Sequence, residues 1–206
     1  MFIVSNLEKL MVDIMSNDFI RRKNLQKNMV NIDSILNAKI NQKPWPHAVI
    51  DNVFNLNLAS SDANNSHILW LNNIHDIFYD NIEPILNKYR SDRGGYLEQD
   101  KDDYYVDYAL QVQTPHQKSE IHIDHGRKLW SFVSYLFPKN SNGTGLYDKD
   151  KNFLQEIEWK QNRAFAFCSK GGDINPTWHD YGNNTGEYRV TLAVFICYDR
   201  GYKKYK

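Results

Sequence analysis

Cysteine is nearly absent: Cys168 and Cys197 are the only two in 206 residues. Two cysteines cannot build a disulfide framework. Both lie in apolar runs, which suits buried, reduced thiols. Excess charge is missing as well, because 25 Lys and Arg balance 25 Asp and Glu. A general nucleic-acid binder normally carries a basic surplus, so that class is disfavoured. Two basic clusters, Arg21, Arg22, Lys23 and Lys27 and then Arg200, Lys203, Lys204 and Lys206, read as solvated ends. No apolar run reaches the roughly 18 residues of a membrane span. The first twenty positions carry Glu8, Asp13 and Asp18 inside an apolar pattern, unlike a secretory leader. These absences lead to the expectation of an intracellular, soluble protein in the cytoplasm, with no membrane partner. No internal repeat and no clear linker divides the chain. A single domain over residues 1–206 is therefore expected.

What the chain has in quantity is aromatic residues, 14% of the total, with 13 Tyr, 10 Phe and 5 Trp. Such a composition belongs to a packed globular chain. Residues 1–42 read as helical: Leu7, Leu10, Met11, Ile14 and Met15 fall on one face, and Ile32, Ile35, Leu36 and Ile40 repeat the spacing. Lys43-Pro44-Trp45-Pro46 stops helix, and Ala48-Val49-Ile50 follows as a short strand. Residues 66–90 form the longest helical pattern, which Pro84 is expected to kink or split. Beyond residue 100 the period drops to two. Tyr104, Val106, Tyr108, Leu110 and Val112 share one strand face. Further strands are expected at 119–124, 130–137, 145–148, 153–158, 163–168 and 188–198, separated by turn-rich pieces at 138–144, 149–152 and 169–187. The fold class is thus α+β, with mainly helical support over 1–95 and an antiparallel β unit over 100–198. Short strands with such turns form a sandwich, jelly roll or barrel.

Chemistry concentrates in three places. In Ile121-His122-Ile123-Asp124 a strand would put His122 and Asp124 on one face and the two Ile on the other. Alone this is weak, since about one such His-x-acid pair is expected by chance in this composition. His179 follows at the end of a Gly-rich loop, in Pro176-Thr177-Trp178-His179-Asp180. Two imidazoles and one carboxylate on one face of an octahedral iron leave positions open, as Fe(II) oxygenases require. Arg189 opens Arg189-Val190-Thr191-Leu192-Ala193-Val194-Phe195-Ile196, a strand apolar on both faces and therefore central. A buried Arg needs an anionic partner, and no acidic residue nearby in sequence is an obvious one. Its planar fork suits a carboxylate, to which the Thr191 hydroxyl can add.

In order and spacing these pieces resemble the 2-oxoglutarate and Fe(II)-dependent dioxygenases, specifically their prolyl-hydroxylase-like branch. That family carries His-x-Asp, a distal His, and Arg-x-Ser/Thr about ten residues on. Here those are His122 and Asp124, His179, and Arg189 with Thr191. Ser134-Tyr135-Leu136, Gly143-Thr144-Gly145-Leu146, Arg163-Ala164-Phe165-Ala166-Phe167 and Pro46-His47-Ala48-Val49-Ile50-Asp51 resemble further family strands. The likeness spans about residues 44–198.

The resemblance implies a double-stranded β-helix (a jelly roll) behind N-terminal supporting helices. It implies Fe(II) held by His122, Asp124 and His179, with 2-oxoglutarate and O2 as co-substrates and Arg189 on the far carboxylate of the keto acid. Where the family places a Tyr before His-x-Asp, this chain has Gln111-Val112-Gln113-Thr114-Pro115; Gln113 and Tyr135 are the implied substitutes. The implied activity is hydroxylation of a C–H bond in an amino acid, a peptidyl residue or another small metabolite, with release of succinate and CO2.

Two other classes share such a fold: a cupin-like metalloenzyme that does not use 2-oxoglutarate, and a non-catalytic jelly-roll binding protein. Only the oxygenase reading requires an Arg where Arg189 stands. His125 reads as a loop histidine or a substrate contact, and Lys128 as a pocket-bordering or a solvated lysine. Trp130 and Trp178 are either core or cleft. Loops 93–103, 114–120, 138–144 and 169–187 form the expected rim.

Overall fold

The computed structural model describes residues 29–55, 66–89, 104–169, 176–183 and 185–198, and side chains in the second span from residue 73 on. The helical pattern before residue 29, both basic clusters, the 93–103 loop and part of the 169–187 loop lie outside the described residues.

The element order is α1 (Ile32–Leu36), β1 (His47–Asp51), α2 (Ser66–Asp80), α3 (Ile82–Tyr89), β2 (Tyr104–Gln113), β3 (Lys128–Phe137), β4 (Thr144–Tyr147), β5 (Phe153–Ile157), β6 (Arg163–Cys168), β7 (His179–Tyr181) and β8 (Arg189–Tyr198). The structure is mostly antiparallel sheet with few helices. One sheet has five strands in the order β1-β6-β3-β8-β2; the other has three, β5-β4-β7.

Side-chain alternation on the five-stranded sheet builds two layers at once. Phe132 and Trp130 on β3 and Leu192, Val194 and Ile196 on β8 join Ile74, Phe78, Ile82 and Ile85 of α2 and α3 in the main core. The opposite face carries Tyr135, Phe165 and Phe167, which pack with Leu146 and Ile157 of the small sheet. With both faces covered, β8 is buried over Arg189–Cys197, as its double apolar pattern requires.

Three expectations change. Of the helical reading over 1–42, the described part keeps only Ile32–Leu36, where the Asn37 cap donates its N–H to the Asp33 and Ile35 carbonyls. The long helix divides at Asn81 rather than Pro84. Asn81 Nδ2 donates to the Ile77 carbonyl at 2.7 Å, closing α2, while its own carbonyl accepts Ile85 N–H and opens α3. Pro84 lies in the first turn of α3, where a missing N–H costs nothing. Residues 119–124 make no continuous strand and touch the small sheet through the isolated bridges Lys118–Gly182 and His122–His179.

Candidate metal and anion site

The His122–His179 bridge builds one half of the site. His179 opens β7 opposite Leu146 of β4. On its other side its backbone exchanges two hydrogen bonds of 2.9 Å with His122. A cross-strand pair brings side chains into contact, and the two imidazole centroids are 4.4 Å apart. Asp124 follows two residues later. One ligand atom from each of His122, Asp124 and His179 lies within 4.8 Å of the others. Among the described residues this is the one group of His, Cys and acidic side chains so placed. Ile123 does not pack inward as expected but stays 40% exposed.

Hydrogen bonding decides which imidazole nitrogen is available. His122 Nδ1 meets the Glu120 carbonyl and His179 Nδ1 the Thr177 carbonyl, both at 2.8 Å. A carbonyl only accepts, so each Nδ1 carries the proton and each Nε2 keeps its lone pair. A backbone-anchored Nδ1–H is the usual support of a metal-binding imidazole. Burial holds His179 below its ordinary pKa, partly opposed by Asp124, and keeps it neutral. Burial pushes the Asp124 carboxyl up, but its partners, the Lys128 ammonium and the Ser131 hydroxyl among them, outweigh it and hold it below the ordinary carboxylate value. Lys128 Nζ donates to Asp124 Oδ1 at 2.8 Å, and the Ser131 and Ser169 hydroxyls reach Oδ2. Neutral imidazoles and an ionised carboxylate are the forms that take a metal.

Arg189 supplies the other half. It faces Gln113 across the β2–β8 ladder and is 1% exposed. Nη1 donates to Gln113 Oε1 at 2.7 Å and lies 3.4 Å from the Gly182 carbonyl. Nε, Nη2 and Gln113 Nε2 are buried without any acceptor among the described residues. The guanidinium carbon lies 4.7 Å from the Trp159 ring centre and 5.7 Å from those of Tyr135 and Tyr181. Burial draws its pKa downward, yet a guanidinium stays charged. This is therefore a buried cation with spare donors and, among the described residues, no carboxylate bonded to it.

Both halves open into one cavity of about 220 Å³, which lies between the two sheets. Its lining includes His122, Asp124 and His179 together with Arg189, Thr191 and Gln111. Thr191 Oγ1 is 3.4 Å from Gln111 Oε1. Two expected contacts stand back from the wall. Tyr135 is fully buried, stacks on Trp159 and donates its hydroxyl to Thr144 Oγ1 at 2.8 Å, and burial pushes its pKa up to about 12. It supports the wall residue Thr144. Gln113 meets the site through Arg189. Trp130 is core, packed on Phe78, and His125 lies on the cavity wall.

Ser131 and Ser169 carry no motif that would single them out, and Thr144 and Gln111 stand in quoted stretches without being named as contacts. The available signal was Ser131, a small polar residue inside the apolar run of β3.

No family model and no curated protein matches this chain. Among solved structures it is similar to a prolyl 4-hydroxylase from Phytophthora capsici, 14% identical over 89% of this chain and 68% of that chain, with TM-score 0.49. A prolyl hydroxylase from Trichoplax adhaerens, in complex with a hypoxia inducible factor oxygen degradation domain peptide fragment, is 10% identical over 98% and 96%, with TM-score 0.48. A dioxygenase for auxin oxidation in rice is 11% identical over 94% and 68%, with TM-score 0.49.

Proposed function

We propose that the chain is a 2-oxoglutarate- and Fe(II)-dependent dioxygenase built on a double-stranded β-helix. One observation carries this reading: three metal-competent side chains and a buried guanidinium, with two nitrogens lacking an acceptor among the described residues, share one cavity. A metal site alone fits a cupin-like enzyme, and an anion site alone fits a binding protein. Their union fits a co-substrate that chelates a metal at one end and presents a carboxylate at the other.

His122, Asp124 and His179 would hold Fe(II), a donor set of two imidazoles and one carboxylate that leaves positions for ligands. Arg189 would bind the far carboxylate through Nε and Nη2, the two donors the fold leaves over. Thr191 would contribute its hydroxyl. Bound together there, the metal and the keto acid would supply the O2 chemistry of a hydroxylation, which puts one oxygen into a substrate C–H bond and the other into succinate, with loss of CO2. The chain's own work is positional. The two backbone-anchored Nδ1–H groups fix the rings, Ser131 and Ser169 fix Asp124, and the Trp159, Tyr135 and Tyr181 rings shield the guanidinium from water. A buried cation of this kind exchanges a costly desolvated state for a paired one when the anion arrives. The substrate is a free amino acid, a peptidyl residue or another small metabolite.

The test is direct. Reduced protein with Fe(II), O2 and 2-oxoglutarate should form succinate slowly without substrate. His179→Ala should lose the metal, and Arg189→Ala should keep it while binding 2-oxoglutarate far more weakly. Absence of succinate together with absence of any 2-oxoglutarate-dependent rise in melting temperature would sink the reading.

A further inference from the structure

The far end of the cavity from Arg189 is walled by Ile123, His125, Lys128 and Phe195. Lys128 belongs to the first turn past the His-x-Asp segment and opens β3. Its ammonium lies 3.6 Å from the centre of the Phe195 ring and bonds Asp124 Oδ1 with one of its three donors. Its side chain is 25% exposed, while that of Asp124 is 8% exposed. Lys128 is thus anchored at the cavity wall, with a quarter of its side chain exposed.

Charge balance gives this lysine a task, on the reading proposed above. A divalent metal and Arg189 bring three positive charges; Asp124 and the 2-oxoglutarate dianion bring three negative ones. Those charges cancel, and Asp124, the only acidic residue on the cavity wall among the described residues, is then shared with the metal. A carboxylate on a divalent cation is a poorer partner for an ammonium. The loaded cavity is left with one uncompensated positive charge, that of Lys128, beside apolar surface from Phe195 and Ile123. An uncompensated charge in a half-enclosed site favours a ligand of opposite sign.

We propose that Lys128 is a specificity-determining residue that selects a substrate bearing a carboxylate, held against Phe195 and Ile123. Binding of the carboxylate restores neutrality and seats the rest of the substrate at the metal side of the cavity.

The experiment uses the full chain with Mn(II) in place of iron and saturating 2-oxoglutarate, so that binding is read without turnover. N-acetylated amino acids and their carboxamides are the probes, compared by calorimetry and melting temperature. The wild type should bind carboxylates about tenfold or more tightly than the matching carboxamides, the scale of one charge-assisted hydrogen bond. Lys128→Met and Lys128→Gln should erase that preference, and Lys128→Arg should retain it. No preference in the wild type, whether neither set binds or both bind alike, overturns the proposal; so does a preference that survives in Lys128→Met. The wild-type comparison decides alone if the neutral variants do not fold. The underlying site reading fails separately, and this proposal with it, if Mn(II) and 2-oxoglutarate give no stabilisation before any probe is added.

Discussion

Arg189 and His47 show how a single buried side chain can lower stability for a separate end. Arg189 gives up hydration for one bond to Gln113, one long contact to Gly182 and three aromatic faces, and keeps two donors idle. Replacing such a group by an apolar one of similar length commonly stabilises a fold. Arg189→Met should therefore raise the stability of the ligand-free protein by about 1 kcal/mol, or leave it unchanged, in chemical denaturation. The same variant should lose the 2-oxoglutarate-dependent melting shift. A clear destabilisation would mean that Arg189 is a structural strut. His47 is 1% exposed; its Nδ1–H donates to the Trp45 carbonyl at 2.8 Å, and Nε2 faces Gln155 Nε2 at 3.4 Å. Burial sets its pKa below the ordinary 6.5, against the pull of the Trp45 carbonyl. Protons therefore bind the unfolded chain first. Above pH 6.5 His47 is neutral in both states and contributes nothing to the pH dependence; as pH falls below 6.5 stability drops, until the folded value is passed and the loss levels off. Denaturant midpoints at pH 7.5 and pH 5 should differ less in His47→Gln than in the wild type. Equal differences would remove His47 from the account.

At the scale of elements, β4 depends on two close approaches. A Cβ on Gly143 would sit 1.7 Å from the Ile157 carbonyl oxygen, and one on Gly145 would sit 2.4 Å from Asp180 Oδ1. The first obstacle is backbone of the neighbouring strand, so Gly143→Ala must part β4 from β5. It should cost at least about 2 kcal/mol in denaturant unfolding. Gly126→Ala meets nothing within 4 Å and serves as the control, within about 0.5 kcal/mol of wild type. Equal stability of the two variants would refute the packing argument. The same elements show what the sequence makes legible. The period-two run Tyr104–Gln113 announces a strand because Tyr104, Val106, Tyr108 and Leu110 face the main core, and the doubly apolar Arg189–Tyr198 because both of its faces are buried. His179–Tyr181 is only three residues long and is held by pairing with β4 on one side and His122 on the other. No local pattern can mark it. Asn81 divides the α2–α3 region by side-chain bonding, while the more conspicuous Pro84 is harmless in a first turn. Spacing marks His122, Asp124, His179 and Arg189 as candidates, and the structure brings all four to one cavity; spacing cannot show that Lys128 and Ser131 grip Asp124, because those contacts exist only after β3 has joined the sheet.

For the whole molecule, the proposed site would tie ligand binding to folding, because one cavity is lined by residues of both sheets. The small sheet carries His179 and, through a bridge, His122; the five-stranded sheet carries Arg189 and Thr191. A metal-chelating anion that also reaches Arg189 therefore links the two sheets, and it can do so only when the metal is present. Stability then rises with ligand as RT ln(1 + [L]/Kd), about 2.7 kcal/mol at a hundredfold excess over Kd. Mn(II) alone should raise the melting temperature modestly. 2-Oxoglutarate alone should do little, since Arg189 by itself offers it one end of its grip. Together they should stabilise by more than the sum of the two separate shifts, because the second ligand completes a bridge that the first begins. His122→Ala should abolish this excess by removing the metal, and Arg189→Ala should abolish it while keeping the Mn(II) shift. Additive shifts in the wild type would mean that the metal and the guanidinium serve two independent ligands, in which case the shared cavity would not be a single active site.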